Sequence, residues 1–240
     1  TVSSVRDLTR LLRLCIIYEK IKMCAGCVMD GKLELADWER KEIFSFFSGI
    51  SNPFYVVTFR QDVTALHSFV KKNGLSFYYS LIWLATKAMN NVEAFHTVIR
   101  NGEVFRIGDR KPSFTDLKKG SENFYIVTMS LEDTVAEFSA AAKKRSSEQN
   151  FFIDPYGESD DLIYFSCLPW VDITAVTNER DLAAKNAADD SVPHISWGKY
   201  VKNGDRLELG VSVEVNHRLI DGVHIGKFAQ ELTRLINELE

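Results

Sequence analysis

A histidine and an aspartate four positions apart, in Val215-Asn216-His217-Arg218-Leu219-Ile220-Asp221-Gly222, are the residues of this chain best suited to do chemistry. An imidazole that keeps a neutral nitrogen near pH 7 can accept a proton as a general base. Leu207, Leu209, Val211, Val213 and Val215 alternate with Glu208, Gly210, Ser212, Glu214 and Asn216, which predicts a strand with one buried face. His217 falls on the buried phase, where loss of water disfavours the imidazolium. The stretch reads as an acyl-transfer site. A covalent serine mechanism is disfavoured, because no G-x-S-x-G elbow occurs and Asp221 follows too closely to take the triad position. Taken alone, a histidine ending a strand is more often structural, and Asp221-Gly222 alone is only a turn.

Further segments resolve that ambiguity. H-x-x-x-D-G at His217 to Gly222 resembles the signature shared by chloramphenicol acetyltransferases and the dihydrolipoyl acyltransferases of 2-oxoacid dehydrogenase complexes. Trp38-Glu39-Arg40-Lys41-Glu42-Ile43-Phe44 resembles the W-x-R-x-E-x-F opening of the chloramphenicol family. Ser166-Cys167-Leu168-Pro169-Trp170 resembles its S-A-x-P-W, and Trp197-Gly198-Lys199-Tyr200 its M-x-K-Y. The resemblance runs from about Leu35 to Glu240, with the motifs in order.

It implies an α/β two-layer sandwich with a mixed β-sheet, assembled as a homotrimer with active sites between subunits. His217 would be the general base that takes the proton of a substrate hydroxyl as it attacks acetyl-coenzyme A directly, without an acyl-enzyme. Ser166 would stabilise the oxyanion. Asp221 would pair with Arg40 and hold the His217 loop without reacting. Lys199 and Tyr200 match positions beside the coenzyme, and Ser196 stands where a threonine near the reacting centre is usual. Phe46, Phe47, Tyr55 and Tyr164 would line or border the acceptor pocket. No permanently bound cofactor and no metal is implied, with acetyl-coenzyme A as co-substrate. His224, close to His217 and Asp221, is weak evidence for a metal set.

Departures from the family bear on the acceptor. Phe114 to Phe124 replaces a phenylalanine-histidine stretch ending in T-E-T-F-S, and Val176-Thr177-Asn178-Glu179-Arg180 replaces a run rich in serine, phenylalanine and asparagine. Asn216 replaces the first histidine of the last motif. The implied reaction is therefore O-acetylation of chloramphenicol or another small hydroxylated compound. A dihydrolipoyl-type acyltransferase and a non-catalytic member of the fold are the alternatives.

Size and charge agree with such an enzyme. A chain of 240 residues can bury one sizeable core. Residues 35–240 are read as a single acetyltransferase domain and residues 1–34 as an extension of unassigned role. A net charge of −4 gives no nucleic-acid footprint, and the Lys143-Lys144-Arg145 cluster reads as a solvated helix face. No stretch approaches the roughly 18 uninterrupted apolar residues of a membrane span, so the expected location is cytoplasmic, with no membrane partner. Cys24 and Cys27 have a redox or metal spacing but no second pair, and read as reduced thiols.

Elements must place these groups. Asp62 can cap a helix closed by Asn73-Gly74, and Ser76 begins a longer one bearing Phe77, Leu81, Leu84 and Ala88. Asn101-Gly102 predicts a type I′ hairpin between Phe95–Arg100 and Glu103–Ile107. A strand over Phe124–Ser130 follows, then a helix to about Gln149 capped at Ser130-Leu131-Glu132-Asp133. Asp154–Asp161 reads as an acidic loop. Ile163–Phe165 and Val171–Val176 are strand candidates, and Asn178–Pro193 is a loop or a short exposed helix. Ile225, Phe228, Leu232, Leu235, Ile236 and Leu239 mark a C-terminal helix.

Overall fold

The computed structural model describes residues 31–118, 120–154 and 157–239. Cys24 and Cys27, with the rest of residues 1–30, lie outside the described residues.

One mixed sheet organises the chain. Its strands are β2 (Phe54–Asp62), β5 (Lys111–Leu117), β6 (Phe124–Thr128), β7 (Leu162–Leu168), β8 (His194–Gly198), β9 (Val201–Asn203) and β10 (Arg206–Asn216), in the order β2-β10-β8-β7-β5-β6 with β9 against β10. The β7 pairings with β5 and β8 are parallel, whereas β10 pairs antiparallel with β2, β8 and β9. A small antiparallel sheet joins β1 (Gly31–Lys32), β4 (Glu103–Arg106) and β3 (Thr97–Arg100). The β3–β4 turn has positive φ at Asn101 (54°) and Gly102 (78°), the pair a type I′ hairpin requires.

Helices cover one face of the large sheet. They are α1 (Lys41–Ser48), α2 (Thr64–Asn73), α3 (Phe77–Asn90), α4 (Val135–Glu148) and α5 (Gly222–Asn237). Their apolar stripes, including Leu66, Leu81, Phe138 and Phe228, pack on Phe114, Phe165, Ile195, Trp197, Val211 and Val213 of the sheet. Asp62 starts α2 by accepting the Thr64 backbone N–H at 2.9 Å, and Gly74 closes it at φ 65°. Ser76 caps α3 through the Tyr79 N–H. The capping box of α4 is Thr134 with Glu137 rather than Ser130 with Asp133: Thr134 Oγ1 accepts the Glu137 N–H at 3.2 Å, and Glu137 accepts the Thr134 N–H at 3.1 Å. The same S/T-x-x-E spacing was available four residues later, next to the first inward-facing residue, Val135.

The strongest correction concerns β10. Its polar residues are buried too: Ser212 is 2% exposed, Glu214 5% and Asn216 3%. The segment 171–191 covers that second face. Val176 N–H donates to Ser212 Oγ at 3.0 Å, Asn178 N–H to Glu214 Oε2 at 3.0 Å, and Arg180 Nε to Glu214 Oε1 at 2.6 Å. Val171–Val176 is thus not a strand. It runs as irregular chain across the sheet, bonding to side chains instead of a ladder. Within Asn178–Pro193 the regular piece is a single 3₁₀ turn, Ala187–Asp189. The close crossing explains two glycines, because a Cβ on Gly198 would collide with the Val171 carbonyl and one on Gly210 would stand 2.5 Å from that of Ile173. Buried Arg110 ties the small sheet to this segment by donating to the carbonyls of Phe95, Thr97, Leu162 and Ser191. Burial draws its guanidinium down to about 10, so it stays charged at neutral pH.

Candidate active site

His217 follows directly on β10, and its backbone is held on both sides. Its N–H donates to Pro53 O at 2.8 Å, while its carbonyl accepts from Arg40 Nη2 at 2.8 Å. Its ring lies between two others, with Phe47 of α1 stacked at 3.9 Å and Tyr55 of β2 at 4.1 Å between centroids. Its Nε2 is 3.4 Å from Asp221 Oδ1. Removal from water lowers the imidazole pKa from its ordinary value, Asp221 opposes that shift, and Arg40 adds to it. Loss of water thus favours the neutral ring, the form a base needs.

Arg40 grips Asp221 with a bidentate fork, Nη2 to Oδ1 at 2.7 Å and Nη1 to Oδ2, and its Nε donates to Arg218 O at 3.1 Å. Two backbone carbonyls and a carboxylate of the 217–221 turn thus share one guanidinium, which is 11% exposed. The Arg40 bond holds the Asp221 carboxyl below its usual range. His224 is taken up structurally: its Nδ1 accepts the Asp221 N–H at 2.9 Å at the start of α5.

Ser166 stands elsewhere. It lies half-buried on β7, in register with Ser196 of β8, which pairs with Ser212 of β10. His217 is five residues beyond Ser212 and two strands across, on the opposite side-chain phase, which separates it from Ser166 by roughly 16 Å along the sheet and about 10 Å across it. One chain does not bring the two together. Ser196 is buried, its Oγ 3.4 Å from Asn178 Oδ1. Tyr164 accompanies Ser166 on β7, donates to Glu158 Oε2 at 2.6 Å and meets the ring of His194 edge-on at 5.0 Å. Lys199 is exposed after β8, and Tyr200 packs against His67 and Phe77 at 5.4 and 5.3 Å. The predicted residues therefore form two groups. His217, Asp221, Arg40, Phe47 and Tyr55 cluster at one end of β10, with Phe46, 67% exposed, at their edge, whereas Ser166, Ser196, Tyr164, Lys199 and Tyr200 lie on and beyond β7 and β8.

Arg180 and Arg218, with side chains 8% and 7% exposed, are given no role by the sequence motifs. Arg180 binds Glu214 and Asp190 and lies over the Phe54 ring at 3.9 Å. Arg218 is described below. Neither is signalled by spacing, since each answers to partners distant in sequence.

Comparison with known proteins accords with this architecture. The family model described as chloramphenicol acetyltransferase matches residues 30–233. A chloramphenicol acetyltransferase of Escherichia coli is 26% identical over 208 residues, covering 86% of this chain and 93% of the relative. One of Clostridium perfringens is 27% identical over 212 residues, covering 87% and 95%. Among solved structures, a chloramphenicol acetyltransferase superposes with a TM-score of 0.77 at 21% identity, over 87% of this chain and all of the other. A dihydrolipoamide acetyltransferase of Azotobacter vinelandii gives a TM-score of 0.60 at 16% identity, over 82% of this chain and 86% of the other. With its sheet, its helical layer and a family match across most of its length, this chain belongs to the chloramphenicol acetyltransferase family of acyltransferases.

Proposed function

We propose that the protein transfers acetyl from acetyl-coenzyme A to a hydroxyl of a small acceptor, with His217 as general base and no acyl-enzyme. The observation that carries this reading is the placement of the imidazole, held between the rings of Phe47 and Tyr55 on a turn fixed by Arg40 and Asp221. As the acceptor hydroxyl attacks the thioester carbon, its proton passes to a nitrogen of His217. The nearby Asp221 carboxylate stabilises the imidazolium so formed. The oxyanion is met by the Ser166 hydroxyl, and collapse of the tetrahedral intermediate expels the coenzyme A thiolate, which recovers a proton from His217 or solvent. Lys199 suits coenzyme phosphate and Tyr200 its adenine.

The separation of His217 from Ser166 supports assembly between copies. Each copy carries the histidine at the end of β10 and the serine on β7, a heterologous arrangement that closes into a ring, here a homotrimer. Ile43, Phe46, Ile50 and Val223, all at least 40% exposed, make an apolar surface suited to that contact. Among the described residues no helix is long and apolar enough to cross a membrane.

The test is release of coenzyme A thiol, followed with Ellman reagent, using chloramphenicol and a panel of hydroxylated acceptors. Saturable release with chloramphenicol identifies the acceptor named for the relatives. Release with another hydroxyl alone keeps the chemistry and changes the substrate. No release with any hydroxyl, but transfer to a dihydrolipoyl thiol, would replace this reading with the alternative acyltransferase. The pH profile is a further check. His217 must be neutral to act, and its pKa is lowered, so kcat/KM should rise with pH through a midpoint below about 6.5 and then level off. A midpoint above that value would contradict the assignment.

A further inference from the structure

Arg218, the residue after His217, is 5% exposed, and its guanidinium bonds through Nε and Nη1. Nε donates to Ser48 Oγ at 3.0 Å, and Nη1 donates to Ala188 O at 3.1 Å and Asp189 Oδ1 at 2.8 Å. The guanidinium carbon lies 4.7 Å from the centroid of the Phe44 ring. Asn216, on the other side of His217, grips the same turn by donating from Nδ2 to Ala188 O at 2.8 Å and Asp190 O at 2.9 Å, and its Oδ1 accepts the Arg218 N–H. The turn is itself anchored, because Asp189 Oδ2 accepts the Gly102 N–H at 2.7 Å from the β3–β4 hairpin.

These contacts have a direction. Phe44 and Ser48 belong to α1, and Phe47 between them is the ring stacked on His217. Whatever fixes α1 against the end of β10 therefore fixes the imidazole. An exposed ion pair would do this poorly, since two mobile side chains lose as much in entropy as they gain in attraction. The Arg218–Asp189 pair is different, with its side chains only 7% and 16% exposed and its planar fork divided between a helix and a turn.

We infer that Arg218 is a positioning residue for His217, a clamp between α1 and the Ala187–Asp189 turn that holds Phe47 closed on the imidazole. The inference rests on the reading of His217 as the base. The charged or titratable groups that face the ring are Asp221 and Arg40, with His224 behind Asp221 and the Tyr55 phenol from β2. Arg218 is directed away from it, towards Phe44, Ser48 and Asp189, and acts through packing. Opening the clamp lets water reach the ring, and its pKa then climbs towards the ordinary value.

The experiment compares wild type with Arg218→Met, which keeps length and loses the fork. Steady-state rates are measured, together with an NMR titration of His217, its resonance assigned by its loss in His217→Ala. Displacement of a reacting group by about 1 Å can cost about 100-fold, so kcat should fall at least about 10-fold while KM for acetyl-coenzyme A changes less than about 2-fold. The His217 titration should move upward towards about 6.5. Arg218→Lys, which can reach Asp189 but cannot span to Ser48 and Phe44 together, should restore only part of kcat. Should Arg218→Met fail to fold, Asp189→Asn takes its place and should shift the same titration in the same direction. A folded variant with an unmoved His217 titration and kcat within about 2-fold of wild type would overturn the inference. The titration needs no turnover. If wild type transfers acetyl to nothing while His217 moves in the variant, the clamp stands and the proposed function falls.

Discussion

His217→Ala should lose nearly all acetyl transfer while acetyl-coenzyme A still binds. A positioned general base typically contributes about 10² to 10⁴ in rate, and the chain places no second imidazole beside Asp221 and Arg40 except His224, whose Nδ1 is already accepting the Asp221 N–H. The substitution also leaves a gap between Phe47 and Tyr55 rather than a stranded charge, because Arg40 keeps its bidentate partner in Asp221. The fold should therefore persist, and the loss should appear in kcat. Thiol release gives the rate and calorimetry gives coenzyme binding. A variant retaining more than about a tenth of wild-type kcat would remove His217 from the mechanism.

Ser166→Ala should lower kcat by about 10² to 10³, the usual consequence of deleting an oxyanion donor, with little change in KM for either substrate. Ser166 is half-buried on a central strand and takes no part in the apolar packing of Phe165, so the loss of one hydroxyl should leave stability close to wild type. A proportional rise in KM with unchanged kcat would mean that Ser166 binds the ground state, and the oxyanion role would be wrong.

Much of this was legible in the sequence where local rules and tertiary packing agree. The Asn101-Gly102 turn announces its hairpin because both residues must take positive φ. The stripe from Ile225 to Leu239 announces α5, and the alternation from Leu207 announces β10. Legibility failed where partners are remote. β5 carries Lys111, Pro112 and Asp116 and has no apolar alternation to betray it, yet it sits between β6 and β7 as an interior strand. The burial of Ser212, Glu214 and Asn216 depends on a segment crossing from residues 171–191, and nothing in β10 foretells it.

The site shows the same division. The motif spacing places Arg40 against Asp221 although they are 181 positions apart, because the family resemblance encodes that pairing. The residue chemistry alone could not supply it. Phe47 and Tyr55, expected at the acceptor pocket, touch the imidazole itself, and Ser166 lies far from His217 within one chain. The family resemblance implies a site between subunits, and the proposed union of His217 with Ser166 rests on it.

That union is the central claim, and co-expression of His217→Ala with Ser166→Ala tests it most directly. Each variant alone should be nearly inactive. If the site draws His217 from one subunit and Ser166 from its neighbour, each mixed trimer sets an intact histidine against an intact serine at one of its three interfaces, and purified mixed trimers should regain about a third of wild-type activity. Mixed trimers, isolated through two different tags, that stay as inactive as either parent would contradict the account and place both residues' work within one subunit.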